Sequence, residues 1–405
     1  MARRLLRPAT LAVLAVAVLW VWAAIALWNS TNLPSLDLPE LDPDDYFSDS
    51  FLERSASYER FLGIVGLLAS VTLVAVLAVY ARRGRQLVRE SAAGRVGTGM
   101  LLAMLGFAVV WLAQVPFGLA TVWWERRHEV SEQDYLAYLL ESFIGLGSQF
   151  VFLCVGIGIM MGFAGLLRRW WWLLAAPAFV GLSLLFAFVS PYLIPDTSPI
   201  RSPTLRAEAR ALERIQGIEE ARLRVQDADR FTDAPNAMAT GFGPTNTVIL
   251  WDTLLQDDFD RAEIRFVLAH EIGHLAHHDI LKRVGWLALF LVPTLGLTAL
   301  LTRRRGGLAQ PEAVPIALLV LVATQLIAAP LLNLASRRQE ASADWAALTA
   351  TRDPVAGKGV MRQLATKSLS NPDPPLWMHA LYGAHPTIMQ RIEMAQAWEE
   401  QPGER

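Results

Sequence analysis

The sequence predicts a mainly α-helical membrane protein with about seven transmembrane helices and a small α/β domain. Of the 405 residues, 53% are hydrophobic and only 18% are charged, whereas soluble domains have about 25% charged residues. The apolar residues are gathered into runs that are long enough to cross a bilayer as helices. One long polar segment, residues 195–283, separates two groups of runs and provides the soluble domain.

Seven apolar runs of about 18 residues or more predict the membrane helices. The first run follows a basic N-terminal segment, as in a signal peptide, but it is long for one and lacks an A-x-A site, which favours a retained anchor. Pro293, Pro315 and Pro330 interrupt the last two runs, which membrane helices tolerate where neighbours satisfy the freed carbonyls. The runs are residues 9–28, 61–80, 100–124, 143–167, 170–194, 284–301 and 313–334.

The polar segment has the periodicity of alternating helices and strands. Residues 207–216 predict an amphipathic helix, and residues 221–227 and 247–251 predict strands. Residues 236–243 are extended and rich in glycine, and they form either an ordinary hairpin or an edge strand that binds an extended peptide. Residues 260–281 predict one long helix.

That long helix contains the HExxH motif His270-Glu271-Ile272-Gly273-His274. Residues i and i+4 share a helix face, so both imidazoles can bind one metal ion. Zinc suits this arrangement, because three protein ligands leave a fourth position for a water molecule whose pKa falls to about 7. Glu271 is then beside that water and can take its proton. The alternative is a chance match on a histidine-rich helix.

A third ligand is predicted at the polar end of the last apolar run. Glu340 is the candidate, and Asp344 lies one helical turn beyond it on the same face. Metal-bound imidazoles usually donate their second N–H to a carboxylate, a role that suits Asp344 and also Asp279, near the motif. The alternative is that Glu340 and Asp344 pair with Arg337 and Arg338 on a solvated surface, which the nearby HExxH makes the weaker interpretation.

His385, which is followed by Pro386, is a candidate for stabilising reaction intermediates. A peptide hydrolase needs a donor for the oxyanion of its tetrahedral intermediate, and an imidazole can be that donor. From its spacing alone, a lone histidine is more often structural.

In their order along the chain, these motifs resemble the CAAX prenyl protease 1 family of membrane zinc metalloproteases, which is related to the heat-shock membrane proteases. HExxH is preceded by N-A-x-A-x-G from Asn236 and followed by S-R-x-x-E-x-x-x-D from Ser336 and H-P-x-x-x-x-R from His385. The resemblance covers residues 195–395 by motifs, and the membrane runs extend it to the N-terminal half.

The resemblance implies one zinc ion per chain, held by His270, His274 and Glu340, with Glu271 as the general base. It implies that His385 and Arg391 lie near the substrate carbonyl. It also implies that the peptide runs along Asn236, Ala237, Met238, Ala239, Thr240 and Gly241. Two departures from the family pattern, Asp279 and Thr387, remove no ligand.

Three parts of the chain follow from the runs and the motifs. Residues 1–194 are predicted to form a membrane region of five helices. Residues 195–395 are predicted to form a zincin-like metalloprotease domain, with the HExxH helix, an edge strand and two further membrane helices at 284–301 and 313–334. Residues 396–405 are predicted to be a C-terminal tail.

The main functional hypothesis is a membrane zinc endopeptidase whose partners are the lipid bilayer and a peptide or membrane-protein substrate. A non-catalytic quality-control protein that binds clients is the alternative, but it has no need of Glu271. A transporter would carry ionisable residues in mid-membrane, whereas the first five runs carry mainly Gln114 and Gln149. The net charge of −2 argues against nucleic-acid binding, and the single cysteine excludes a disulfide framework.

The distribution of arginine predicts the orientation in the membrane, since basic loops stay in the cytoplasm. An excess of arginine over lysine also indicates a bacterial source, and hence a multi-pass protein of the bacterial plasma membrane. The rule places the zinc domain on the outer face, whereas eukaryotic relatives are thought to present it to the cytosol. The predicted cytoplasmic side carries Arg3, Arg4, Arg7, Arg82, Arg83, Arg85, Arg89, Arg95, Arg168, Arg169, Arg303, Arg304 and Arg305.

Overall fold

The structure, a computed structural model, describes residues 8–401 except 88–92, 230, 231, 233 and 257. Arg3, Arg4, Arg7 and Arg89, and residues 402–405 of the predicted tail, lie outside the described residues. The helices are α1 Pro8–Asn29, α2 Asp49–Arg83, α3 Gly94–Arg127, α4 Tyr135–Leu167, α5 Trp172–Val189, α6 Pro203–Gln216, α7 Arg261–Ala276, α8 Asp279–Thr302, α9 Val314–Thr351, α10 Pro354–Ser368, α11 Leu376–Tyr382 and α12 Ile388–Glu399. The strands are β1 Thr197–Pro199, β2 Arg222–Gln226, β3 Ala237–Thr240 and β4 Thr247–Trp251.

Six helices in the described part of the chain are long and apolar enough to cross a membrane: α2, α3, α4, α5, α8 and α9. The first predicted run forms α1. Within α1, the segment Val16–Asn29 is apolar but shorter than the six long helices. The predicted class, a mainly α-helical multi-pass membrane protein with a small α/β domain, is therefore confirmed.

The six long helices form a ring in which each contacts the next in the order α2, α3, α4, α5, α8 and α9, and α9 returns to α2. Apolar side chains, among them Met161, Trp171 and Val314, close the end of this ring that is remote from the polar domain. Tyr80 is buried in the same cluster, and its hydroxyl donates to the carbonyl of Leu102 at 2.7 Å. The ring thus has a packed end, and its other end carries the polar domain.

The four described strands form one sheet in the order β1-β2-β4-β3. β2 and β4 run parallel, while β3 pairs with β4 antiparallel, with Ala237 opposite Leu250 and Thr240 opposite Thr247. β3 is therefore an edge strand, as predicted, and the backbone on its second side is open to an added strand.

Helices α7 and α9 pack closely beneath the sheet and bring their polar residues together. Gly273 permits this approach, because a methyl group there would lie 3.3 Å from Ala346 Cβ and 3.4 Å from Ala343 Cα. α9 is continuous from the membrane ring into the polar domain. A single helix therefore carries the last predicted span at one end and Glu340 at the other.

The prediction of one long helix over residues 260–281 is wrong, because the helix breaks at His278. This residue has φ 55° and ψ 38°, so α7 ends at Ala276 and α8 begins at Asp279. A left-handed backbone conformation costs a residue other than glycine roughly 1–2 kcal/mol. No glycine or proline at this position indicates the break in the sequence. The break lets Asp279 turn back, and its carboxylate accepts a hydrogen bond from His274 Nδ1 at 2.8 Å.

Candidate metal centre

Three buried side chains converge on one point between α7 and α9. The Nε2 atoms of His270 and His274 are 3.1 Å apart, and Glu340 Oε2 lies 3.3 Å from the first and 3.4 Å from the second. These three residues could hold one metal ion. They are at most 7% exposed, so an ion bound there would be shielded from bulk water.

A carboxylate holds the far nitrogen of each imidazole. His270 Nδ1 is 2.8 Å from Asp344 Oδ1, and His274 Nδ1 is 2.8 Å from Asp279 Oδ2. Because Nδ1 donates in both rings, the neutral tautomers turn the two Nε2 lone pairs towards the same point. A cation is the partner that such an arrangement favours.

The carboxylates make this point favourable to positive charge. Burial lowers the pKa of His274, but the hydrogen bonds to Asp279 and Glu340 outweigh it and raise the pKa to about 10. Burial also lowers the pKa of His270, and Asp344 and Glu340 raise it above the usual value. A proton or a divalent cation would benefit from the same negative charge.

The two orienting carboxylates are themselves held by basic side chains. Arg391 binds Asp344 through two nitrogens, and Lys282 Nζ lies 3.1 Å from Asp279 Oδ1. Each imidazole is therefore held by a carboxylate, and each carboxylate is held in turn by a basic side chain. Such chains fix the orientation of a metal ligand.

Glu271 is buried beside the two histidines and faces the cleft. Its side chain forms no hydrogen bond with any residue that the structure describes. Its carboxylate is therefore available to accept a proton from a molecule in the cleft.

The cleft in front of these residues has a volume of about 290 Å³. Asn236 and the β3 residues Ala237, Met238 and Ala239 line one side, and apolar residues of α7 and α10 form the back. His385 enters from the other side, with 62% of its side chain exposed and Nε2 3.4 Å from Glu340 Oε2. The cleft thus has an edge strand, the three candidate metal ligands and the His385 imidazole on its walls.

Two residues of the predicted peptide track lie outside the cleft lining. Thr240 is bonded through its hydroxyl to Ser190 Oγ at 2.9 Å. Gly241 has φ 78°, and a side chain there would collide with the carbonyl of Thr245. Thr240 is the last residue of β3, and Gly241 begins the turn that follows it. Arg391 lines the cleft, but its guanidinium is held by Asp344.

Arg283 is a residue of this site that the sequence motifs did not reveal. Its Nη2 donates to Glu340 Oε1 at 3.1 Å, and its Nε donates to Gln339 Oε1 at 3.3 Å. Arg283 therefore holds the Glu340 oxygen that faces away from the histidines. In the sequence it resembles an ordinary basic residue at the start of a membrane helix.

Comparison with known proteins identifies the family. The model of Peptidase family M48 matches residues 199–399. The "Protease HtpX homolog" of Acidiphilium cryptum (strain JF-5) is 31% identical over 212 residues, which are 47% of this chain and 72% of that protein. The chain belongs to peptidase family M48. The family and the metalloprotease class predicted from the motifs are thereby confirmed.

Two further comparisons cover more of the chain. The "Uncharacterized metalloprotease YhfN" of Bacillus subtilis (strain 168) is 30% identical over 252 residues, and the match spans 58% of each protein. The crystal structure of S. mikatae Ste24p superposes with a TM-score of 0.70 over 97% of this chain and 100% of that one, at 16% identity. The membrane helices and the polar domain therefore share the Ste24p fold.

Proposed function

We propose that the protein is an integral-membrane zinc metalloendopeptidase that hydrolyses peptide bonds in peptides or membrane-protein segments. One observation carries this proposal: the His270, His274 and Glu340 ligand atoms form a triangle of 3.1–3.4 Å beside an unbonded Glu271. Membership of peptidase family M48 supports the same chemistry.

The ligand set fits zinc. Ligand atoms about 2.0–2.1 Å from a tetrahedral zinc ion lie roughly 3.3 Å from one another, which agrees with the separations of 3.1, 3.3 and 3.4 Å among these three ligand atoms. Magnesium and calcium prefer all-oxygen sites, whereas two of the three ligands here are imidazoles. One ion per chain is expected at this centre.

Zinc bound by His270, His274 and Glu340 would supply a Lewis acid for the substrate carbonyl and would lower the pKa of a water molecule. Glu271 accepts the proton of the attacking water and delivers it to the nitrogen of the leaving amine. His270 and His274 keep their orientation during this transfer, because Asp344 and Asp279 hold their Nδ1 atoms. His385 donates to the oxyanion from the opposite wall.

The open edge of β3 is the proposed substrate site. An extended peptide adds to such an edge through main-chain hydrogen bonds and turns alternate side chains into the cleft. Asn236, Ala237, Met238 and Ala239 line the cleft along this edge. The apolar back wall, which includes Phe266 and Met361, favours a hydrophobic substrate side chain.

The test compares the wild type with Glu271→Ala, both purified in detergent, on a peptide library. Loss of a general base typically lowers the rate about 10²–10⁴-fold, and zinc content and melting temperature should not change. Arg265→Ala, on the same helix but outside the cleft, is the matched control and should keep full activity. Near wild-type turnover by Glu271→Ala contradicts the mechanism. Peptide binding without cleavage by the wild type favours the client-binding alternative.

A further inference from the structure

The short helix α11 presents an apolar outer face that neither the membrane ring nor the metal centre accounts for. Leu376 is 83% exposed and Trp377 is 41% exposed, while Tyr382, which also meets α2, is 45% exposed. The helix lies between α10 and the segment that carries His385. A soluble surface rarely leaves several large apolar side chains of one short helix uncovered.

One side of α11 packs against the start of the apolar part of α2. The Met378 side chain contacts Gly63, and the Tyr382 ring lies against Gly66. Arg60 is the last charged residue of α2 before its apolar run, which begins at residue 61. These contacts place α11 at the level where α2 enters the membrane.

The other side of α11 is bonded to the end of the apolar part of α9. Asn333 Nδ2 donates to the carbonyls of Ala380 and Leu381 at 3.3 and 2.8 Å. One turn further, Arg337 Nη1 donates to the carbonyls of His379 and Gly383 at 3.1 and 2.6 Å. Three of these bonds go to carbonyls in the last turn of α11, which a helix end otherwise leaves unpaired. The contacts with α2 and with α9 thus place α11 at the same depth relative to the membrane.

We propose that α11 lies in the interface of the lipid bilayer, with Leu376 and Trp377 in contact with lipid. Lipid is the favoured occupant because the apolar face of α11 is level with the exposed apolar surfaces of the two spans, including Ile64, Leu331 and Leu334. Tryptophan and tyrosine are enriched at this depth of a membrane.

This position connects the bilayer to the metal centre. His379 Nε2 donates to the carbonyl of His385 at 2.9 Å, and the His385 imidazole in turn reaches Glu340. A helix held at the membrane surface therefore fixes the backbone of the residue that faces the cleft.

Spin labelling in vesicles tests the proposal. Cys154 is the single native cysteine, so a Cys154→Ser background accepts one label at Leu376→Cys. Val355→Cys is the matched control, since Val355 is also exposed, at 71%. α9 runs unbroken to Thr351, about 25 Å beyond Leu334 at 1.5 Å per residue, and Val355 follows it. The control therefore lies far from the membrane surface.

In phosphatidylcholine–phosphatidylglycerol vesicles, the label at position 376 should collide more with oxygen than with a water-soluble nickel chelate. The label at position 355 should show the reverse. Nickel access at 376 equal to that at 355 overturns the proposal. Shielding of 376 from both reagents also overturns it and indicates a protein partner or a second copy of the chain. Trp377→Cys repeats the measurement, and metal content confirms that each variant is folded.

Discussion

Arg391 holds Asp344 through both carboxylate oxygens, with Nε 2.8 Å from Oδ2 and Nη2 2.7 Å from Oδ1. Asp344 Oδ1 also accepts the hydrogen bond of His270 Nδ1. We infer from this geometry that Arg391 positions His270 through Asp344. The place near the substrate carbonyl that the family resemblance implies stays a prediction, and Arg391 does line the cleft.

Arg391→Lys should therefore weaken metal binding. Lysine keeps the charge but cannot make the two parallel bonds, and loss of such an outer partner typically costs 10–100-fold in metal affinity. Competition with a chromophoric zinc chelator measures this effect. Arg362→Lys, at an exposed position of α10, is the control and should bind zinc as the wild type does. A raised KM with unchanged zinc affinity would instead indicate substrate contact.

Elemental analysis of the purified protein should find about one zinc ion per chain, and a chelator should abolish activity until zinc is restored. Glu340→Ala should lose most of this zinc, because Glu340 Oε2 completes the triangle with the two imidazoles. Glu312→Ala, just before α9, is the control. Full zinc occupancy in Glu340→Ala would remove Glu340 from the site.

Arg283→Gln should lower zinc affinity by about tenfold, in the lower range for outer-shell partners. The reason is that Arg283 holds only the second oxygen of Glu340, through a side chain that is 52% exposed. Because exposed ion pairs add little stability, the melting temperature of Arg283→Gln should change little. Arg304→Gln, just beyond the far end of α8, provides the matched loss of charge. Unchanged zinc affinity in Arg283→Gln shows that Glu340 needs no such support.

His385→Ala should lower kcat by about 10²–10³-fold, the usual cost of removing one oxyanion donor. Zinc content should stay at the wild-type level, because the ring is not one of the three converging ligands. His385→Gln should recover part of the rate, since an amide can also donate. If zinc content and melting temperature fall together with activity, His385 is structural.

Much of this site follows from local rules that act on the sequence. Helical periodicity puts His270 and His274 on one face, and the four-residue spacing of Glu340 and Asp344 does the same on α9. The apolar run of β4 indicated a strand, and the glycine-rich segment around β3 indicated either a hairpin or an edge strand. Each of these patterns involves residues that are close together in the sequence, so it can be recognised without the structure.

The relationships that the sequence did not reveal depend on distant segments. The guanidinium of Arg391 meets Asp344 only because α12 packs on α9, and Arg283 meets Glu340 across the start of α8. The break at His278 is a local exception: neither glycine nor proline marks it, and the contact that it permits, between Asp279 and His274, spans only five residues. Periodicity alone predicts a continuous helix there.

Membrane orientation is the remaining prediction, and the structure gathers the basic loops at one end. Arg305 Nη2 donates to the carbonyl of Ala81 at 2.5 Å, so the loop after α8 lies beside the end of α2. Arg82 and Arg83 follow at that end of α2, and Arg303 and Arg304 precede Arg305. The polar domain occupies the opposite end of the ring.

The positive-inside rule therefore predicts that the basic end faces the cytoplasm and that the metal centre faces outwards. Alkaline phosphatase fused after Asp229 tests this, because the reporter folds only outside the cytoplasm. The same reporter fused after Arg304 is the control and should be inactive, since Arg304 lies in a basic loop at the other end. An active first fusion and an inactive second one agree with the prediction. A stable but inactive fusion after Asp229, with activity after Arg304, means that the metal centre faces the cytosol.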